Sequence, residues 1–271
     1  MTGKDRRLTR LRDVSTGRYI IVPMDHGLTL GPIPGLEDLA RVVEQVAEGG
    51  ATAILCHRGM VKSALSSIPP TLGLIVHLSG NVAIREGDDR KALLASVEDA
   101  LLVGADAVSV QINMGSSEDT DMLVDLGAVA ARCDEWGVPL LAMMYPRGEN
   151  VADPFDREIV KHVARIGAEC GADLVKTVYP RTQEAFQEVT SSCPVPIVIA
   201  GGPKCETDRE VLTMVRDAMN AGGQGISIGR NLFQHGDVPA MTQALAMIVR
   251  DETSIEEALG ILSEGTEERR D

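Results

Sequence analysis

Gly171-Ala-Asp-Leu-Val-Lys-Thr-Val178 joins the two signals that indicate the fold of this chain. Its glycine suits the left-handed conformation that ends a helix, and the apolar run after it has the length of one buried β-strand. Similar glycine-containing turns precede three further apolar runs: Gly49-Gly-Ala51, Gly104-Ala-Asp106 and Ala221-Gly-Gly223. The pattern predicts repeated βα units around a parallel sheet.

Eight short runs rich in Val, Ile and Leu alternate with longer helical patterns. Eight βα units favour a single-domain α/β fold over residues 1–271, a closed TIM (β/α)8 barrel, and no GxGxxG follows the first run to suggest an open sheet. We expect residues 1–18 to form a helix or arm at the bottom of the barrel, and an acidic, frayed tail at about 263–271. The candidate strands are Tyr19–Met24, Thr52–Cys56, Leu72–Leu78, Ala107–Ile112, Pro139–Met144, Asp173–Val178, Pro196–Ala200 and Gly225–Ile228.

Composition narrows the range of partners. The 271 residues carry a formal net charge of −14, which disfavours attraction to nucleic acid phosphates or to anionic membrane surfaces. The five cysteines form no CxxC pair, and no apolar stretch of about 18 residues occurs. We therefore expect a soluble, cytoplasmic protein with reduced thiols.

Lys176 lies inside one of the apolar runs, and the chain has few lysines to place anywhere. Burial disfavours a lysine ammonium, and a partly neutral amine can attack a carbonyl carbon. We interpret Lys176 as a Schiff-base nucleophile. The alternative is a lysine at a strand end whose ammonium reaches solvent.

Active sites of TIM barrels form at the carboxyl ends of the strands, which selects few polar residues. Tyr145 and Lys176 fall on inward-facing positions of neighbouring strands, so Tyr145 is the candidate general acid/base, or else a structural tyrosine. Asp25 ends the first strand and can orient the lysine or exchange a proton, or else is a helix N-cap or a surface acid. His26 and Arg147 are candidate substrate contacts, or a loop contact and a rim ion pair.

Glycine-rich segments follow the last two candidate strands. Loops in these positions commonly bind phosphate through backbone N–H groups, to which glycine allows close approach. We therefore predict a phosphate site at Gly201, Gly202, Gly229 and Arg230. Lys204 lies nearby, but we expect it to be an exposed lysine.

Other chemistries lack their residue patterns. Metal-dependent catalysis would need two or three ligands that converge at strand ends, and the remaining histidines do not make such a set. A serine nucleophile would need a G-x-S-x-G elbow, which is absent. The histidines concerned are His57, His77, His162 and His235.

At these residues the chain resembles the archaeal-type class I aldolases, the Schiff-base barrel family that includes fructose-bisphosphate aldolases and heptulosonate synthases. The resemblance implies that Lys176 is the Schiff-base lysine, Tyr145 the general acid/base and Asp25 the third catalytic residue, with phosphate bound at the glycine loops. It is carried by Ile21-Val-Pro-Met-Asp-His-Gly27, Gly31-Pro-Ile-Pro-Gly35, Met143-Met-Tyr-Pro-Arg-Gly148, Asp173-Leu-Val-Lys-Thr177, Ala200-Gly-Gly-Pro-Lys204 and Gly229-Arg-Asn-Leu-Phe-Gln234.

Within the family, the segment that begins with Met143 resembles that of the 2-amino-3,7-dideoxy-D-threo-hept-6-ulosonate synthases, whereas the fructose-bisphosphate aldolases carry tryptophan at the position of Met143. Gln111 departs from the histidine of many relatives. The resemblance implies transaldol transfer from a phosphorylated deoxy-diketohexose to L-aspartate semialdehyde in aromatic amino acid biosynthesis, with no metal or organic cofactor, in a homo-oligomer. The alternatives are a class I fructose-bisphosphate aldolase, a phosphorylated-diketone thiolase, and a phosphate-binding isomerase or binding module without covalent catalysis.

Overall fold

Eight parallel strands close into a barrel in the computed structural model, which describes residues 2–84 and 90–267, without the side chains of 264–267. Around the barrel the order is β1-β2-β3-β6-β7-β8-β9-β10, and β10 pairs with β1 to close it. The strands are β1 Tyr19–Pro23, β2 Ala53–His57, β3 Gly73–His77, β4 Ser79–Gly80, β5 Ala92–Leu93, β6 Ala107–Met114, β7 Leu140–Pro146, β8 Leu174–Thr177, β9 Ile197–Ala200 and β10 Gly225–Ser227. The predicted TIM barrel and its eight strands are confirmed.

Helices follow the strands along the chain and cover the outside of the barrel. None of those in the described ranges is long and apolar enough to cross a membrane. They are α1 Gly3–Arg10, α2 His26–Leu30, α3 Leu39–Glu48, α4 Arg58–Ala64, α5 Val97–Leu102, α6 Asp119–Trp136, α7 Arg157–Glu169, α8 Gln183–Ser192, α9 Asp208–Asn220, α10 Arg230–Phe233, α11 Val238–Arg250 and α12 Ile255–Glu267.

The turns that lead from helix to strand contain glycines in the expected left-handed conformation: Gly50, Gly104, Gly171 and Gly222 have φ of +89°, +87°, +95° and +89°. The aspartate of the Gly-Ala-Asp turn then bonds to the neighbouring strand. Asp173 accepts a hydrogen bond from the Leu140 backbone N–H at 2.8 Å. The turn thus ends a helix and also fixes where the next strand joins the sheet.

The N-terminal segment packs against the end of the barrel where the strands begin. Lys4 and Arg10 of α1 pair with Asp173 and Asp106 at 3.0 and 2.6 Å, and both acids immediately precede strands. Leu11, 1% exposed, joins the cluster of inward-facing side chains inside the barrel. This segment therefore covers the apolar bottom and leaves the opposite end of the barrel accessible.

Three local features differ from the sequence predictions. The loop after β1 begins with the short helix α2, and the β3–β6 connection contains an antiparallel pair, β4 with β5. The sequence predicts a frayed tail at about 263–271, but α12 continues through Glu267; residues 268–271 lie outside the described part. That residues 1–271 form a single domain also stays a prediction, because part of the chain lies outside the described ranges.

Candidate active site

A cavity of about 900 Å³ opens at the carboxyl ends of the barrel strands. The nine residues selected from the sequence all line it, although they come from five segments far apart in the chain. They are Asp25, His26, Tyr145, Arg147, Lys176, Gly201, Gly202, Gly229 and Arg230. Closure of the barrel therefore brings all nine residues to the same cavity.

Lys176 lies on β8 and is only 6% exposed. It pairs in register with Met143 on β7, one step above the Leu141–Leu174 pair, whose side chains belong to the apolar cluster inside the barrel. Alternation along the strand thus points Lys176 into the barrel, at the level where the apolar filling ends and the cavity begins.

Tyr145 lies two residues beyond Met143 on the same face of β7, because this strand continues through Pro146. Its ring is partly buried and packs beside the inward-facing cluster. The exposed Arg147 places its guanidinium carbon 5.9 Å from the centre of the ring. Tyr145 is therefore held at the wall of the cavity next to the strand that carries Lys176, with Arg147 at the rim.

Asp25 follows β1 and is surrounded by histidines. Its Oδ1 lies 3.7 Å from His26 Nδ1, and its Oδ2 lies 3.8 Å from His77 Nε2. Burial opposes ionisation of this carboxyl, but His77, His26 and Lys176 together hold its pKa below the usual range. Among the described residues that line the cavity, Asp25 is the one acid, and it is a carboxylate at neutral pH.

His57 and His77 do not stand singly, as their positions in the sequence suggested. They end β2 and β3 and pair in register, with ring centres 5.2 Å apart. Burial lowers the pKa of His57, and it lowers that of His77 to about 3 against the attraction of Asp25. Both rings are therefore neutral at physiological pH.

Ser109 fixes the orientation of His77, since its Oγ lies 2.8 Å from His77 Nδ1. When the hydroxyl donates to Nδ1, the ring proton is on Nε2, the nitrogen that faces Asp25. His57 Nδ1 contacts the His77 carbonyl at 3.2 Å and links the two strands. These side chains form a neutral wall behind Asp25, and sequence reasoning missed them because only the register brings them together.

The loops after β9 and β10 meet on the opposite side of the cavity. Arg230 Nη2 donates to the Gly202 carbonyl at 2.9 Å, and Asn231 Nδ2 donates to the Gly201 carbonyl at 3.1 Å. A Cβ at Gly229 would lie 2.8 Å from His26 Cε1, so glycine lets the loop after β10 approach the segment after β1 closely.

Two buried polar atoms at this side have no hydrogen-bond partner in the described part of the protein: Arg230 Nε and Ser227 Oγ. Both residues line the cavity. Buried polar groups normally have a hydrogen-bond partner, so the lack of one for these two atoms is evidence for an anion at the predicted phosphate position. Lys204 is exposed and donates to the Gln234 carbonyl at 2.8 Å, as expected for a residue outside the core of the site.

No group of three or more histidine, cysteine, aspartate or glutamate residues with the geometry of a metal site occurs in the described ranges. His162 lies exposed on α7, and His235 contacts Asp208 at 3.4 Å outside the cavity lining.

Comparison with known proteins gives one family and close relatives. The model of the DeoC/LacD family of aldolases matches residues 19–235. The chain is 41% identical over 257 residues to the 2-amino-3,7-dideoxy-D-threo-hept-6-ulosonate synthase of Halobacterium salinarum, covering 95% of each protein. It is 40% identical over 245 residues to the 2-amino-4,5-dihydroxy-6-oxo-7-(phosphonooxy)heptanoate synthase of Streptomyces griseus, covering 90% of this chain and 89% of the relative.

Among solved structures, the chain resembles an archaeal fructose 1,6-bisphosphate aldolase with a TM-score of 0.85 and 29% identity, over 92% of this chain and 99% of the other. A second structure of an archaeal fructose-1,6-bisphosphate aldolase, with its catalytic lysine covalently bound to the carbinolamine intermediate of the substrate, also gives a TM-score of 0.85, at 28% identity over 91% and 99% of the chains.

Proposed function

Given that this chain belongs to the DeoC/LacD family of aldolases, we propose that it catalyses the transaldol transfer that forms 2-amino-3,7-dideoxy-D-threo-hept-6-ulosonate. The donor is a phosphorylated deoxy-diketohexose and the acceptor is L-aspartate semialdehyde. The observation that carries the proposal is the position of Lys176, nearly buried at the floor of the cavity beside Tyr145 and Asp25. The synthases of H. salinarum and S. griseus support the choice of product class.

The first step joins the donor to the enzyme. Nζ of Lys176 attacks the ketone carbon next to the donor's methyl group, and the carbinolamine that forms loses water to give a protonated imine. Tyr145 supplies the proton that leaves with this water, and Asp25 balances the positive charge of the imine. The apolar layer beneath Lys176 excludes bulk water from the reacting carbon.

The second step breaks a carbon–carbon bond. The bond between the carbons α and β to the imine cleaves, and its electron pair converts the imine to an enamine. The β-hydroxyl loses its proton to the base at Tyr145 and becomes a carbonyl, so that a phosphorylated three-carbon dicarbonyl compound leaves. A three-carbon enamine remains on Lys176.

The third step reverses these electron movements on the acceptor. The enamine carbon forms a bond to the aldehyde carbon of L-aspartate semialdehyde, the alkoxide takes up the proton from Tyr145, and water hydrolyses the new imine. Lys176 is released and the product leaves with its amino and carboxylate groups intact. The imine serves as the electron sink throughout.

The phosphate of the donor occupies the loops after β9 and β10 in this proposal. Backbone N–H groups at Gly201, Gly202 and Gly229 and the side chain of Arg230 surround it, with Ser227 Oγ as a further donor. His26 and Arg147 contact the substrate from opposite walls. The orphan Arg230 Nε and Ser227 Oγ support this placement.

A second candidate is class I fructose-bisphosphate aldolase activity, which the fold similarity favours. Met143 weighs against it, because the tryptophan of those aldolases is missing at this wall of the cavity. The same lysine chemistry also serves a phosphorylated-diketone thiolase. An isomerase or a binding module would need the phosphate site but no covalent step.

Trapping with borohydride tests the covalent step. Incubation with the deoxy-diketohexose phosphate and borohydride should label Lys176, located by peptide mass spectrometry, and Lys176→Met should abolish the label. Lys204→Met is the matched control, a lysine that lines the same cavity and should leave labelling unchanged. Absence of an adduct, or an adduct on another lysine, contradicts the mechanism. Equal or faster turnover of fructose bisphosphate would favour the aldolase.

Two further properties belong to the proposal. All five cysteines are free, as expected in a reducing compartment, so we place the reaction in the cytoplasm. Assembly as a homo-oligomer stays a prediction.

A further inference from the structure

The antiparallel pair β4–β5 brings a second lysine to the cavity. Lys91 immediately precedes β5, is 6% exposed and lines the same cavity as Lys176. Its Nζ donates to Asn81 Oδ1, and its backbone N–H reaches the sulfur of Met122. Lys91 is thus a positively charged side chain held at the mouth of the barrel by Asn81 of the β3–β6 connection and by Met122 of α6.

Strand order places this lysine opposite the phosphate loops. β4 rests on β6, where the Gln111 N–H donates to Ser79 Oγ at 2.8 Å. In the closed barrel, the β3–β6 junction faces the β9–β10 junction, because four strands separate the two on either side: β6, β7, β8 and β9 on one, and β10, β1, β2 and β3 on the other.

The positive charge of Lys91 also reaches the wall behind Asp25, since it contributes to the low pKa of both His57 and His77. Those two rings are neutral, so they do not compete for an anion that approaches Lys91. Basic side chains therefore line the cavity on two sides of Lys176: Arg230 with the glycine loops on one side, and Lys91 on the other.

The chemistry of the products indicates that these two regions bind different anionic groups. The products named for the two synthases differ at carbon 7, which is phosphorylated in one and deoxygenated in the other. They share a carboxylate at carbon 1 and an amine at carbon 2. A site that makes such products needs a cation for the constant carboxylate end as well as a place for phosphate.

We propose that Lys91 binds the α-carboxylate of the acceptor, an amino acid with an aldehyde at its other end. The inference rests on the proposed function and adds a specificity residue to it. In this arrangement the carboxylate lies at Lys91 and the aldehyde carbon faces the enamine on Lys176, after the phosphorylated fragment has left the glycine loops. An acceptor without a carboxylate gains nothing from Lys91.

Replacement of Lys91 by glutamine tests the inference, because the amide can still donate to Asn81 while the charge is lost. The two acceptors are L-aspartate semialdehyde and 3-aminopropanal, which has the same aldehyde and amine without the carboxylate. Lys91→Gln should lower kcat/KM for the first acceptor about 10- to 100-fold, the range for one hydrogen bond to a charged group, and change that for the second less than twofold.

Two further variants control for damage to the fold. Lys91→Arg keeps the charge and should restore most of the preference for L-aspartate semialdehyde. Arg90→Gln removes the neighbouring charge, which pairs with Asp121 and does not line the cavity, and should behave like the wild type. Circular dichroism and thermal melting check that each variant is folded.

The outcomes separate the inference from the function on which it rests. An equal loss with both acceptors, or no loss with L-aspartate semialdehyde, contradicts the role of Lys91. If Lys91→Gln does not fold, Lys91→Met is assayed in its place with the same two acceptors. Failure of the wild type to form a borohydride-trapped adduct with the donor alone contradicts the proposed function, whatever the acceptor preference.

Discussion

Replacement of His77 by glutamine should change how the stability of the barrel depends on pH. His77 is 3% exposed, and burial lowers its pKa to about 3, although Asp25 attracts a proton to the ring. In the unfolded chain the pKa of a histidine is about 6.5. Between these two values the unfolded chain binds a proton that the folded protein excludes.

The sign and size follow from this difference. Stability due to the neutral His77 is fully present above pH 6.5 and is lost as the pH falls from there towards 3, by about 1.4 kcal/mol for each pH unit. From pH 7.5 to 5.0 the loss is about 2 kcal/mol. Burial also lowers the pKa of His26 and His57, but those contributions are common to the wild type and the variant.

Urea denaturation followed by circular dichroism at pH 7.5 and 5.0 measures the effect. The fall in the free energy of unfolding between the two pH values should be about 2 kcal/mol smaller in His77→Gln than in the wild type. His162→Gln, at an exposed position on α7, is the matched control and should show the wild-type fall. An equal fall in all three proteins would refute a neutral, buried His77.

Four other perturbations have clear expected results. Tyr145→Phe should lower turnover by about 10²- to 10⁴-fold without changing the melting temperature, and unchanged turnover would remove Tyr145 from the mechanism. Gly225→Ala would place Cβ 2.0 Å from the Tyr19 carbonyl oxygen where β10 meets β1, so we expect little soluble protein. Gly127→Ala on α6 places its Cβ in open space, and it should raise the free energy of unfolding by about 0.5–1 kcal/mol in urea titrations. Raising the salt concentration should lower kcat/KM for the anionic donor in steady-state assays and leave kcat nearly constant. The reason is that five Lys or Arg residues and one acid line the cavity of a protein whose net charge is −14. A kcat/KM that does not change with salt would contradict electrostatic attraction of the donor.

The barrel could be predicted from sequence because its strands are buried on both faces and so appear as continuous apolar runs. The short pair β4–β5 could not, since two-residue strands have no periodic pattern and β5 is exposed. The position of Lys91 depends on that pair, so sequence reasoning gave no reason to place this lysine at the cavity. The helix α2 was missed for a similar reason, as five residues are too few for a helical period.

The site residues differ in how much they depend on pairing between strands. Lys176 and Tyr145 could be placed from alternation along single strands, and their location in the cavity agrees with that reasoning. His57 and His77 needed the register of β2 with β3, which brings two separate histidines side by side. A residue at the end of one strand carries a local signal, whereas a cluster made by several strands does not.

The register also explains why polar groups occur in this layer of the barrel and not below it. Ile75 pairs with Ala107 in the apolar inner cluster, and two residues later His77 pairs with Ser109. The Leu141–Leu174 pair is followed in the same way by Met143 and Lys176. On β3, β6 and β8, a step of two residues keeps the side chain inside the barrel and replaces a hydrocarbon with a polar group. On β7, Met143 still belongs to the inner cluster, and the polar Tyr145 follows two residues later. The inward residue two positions after the last inner aliphatic one is therefore the place to search for site residues, and that rule selects His77 by the same argument as Lys176.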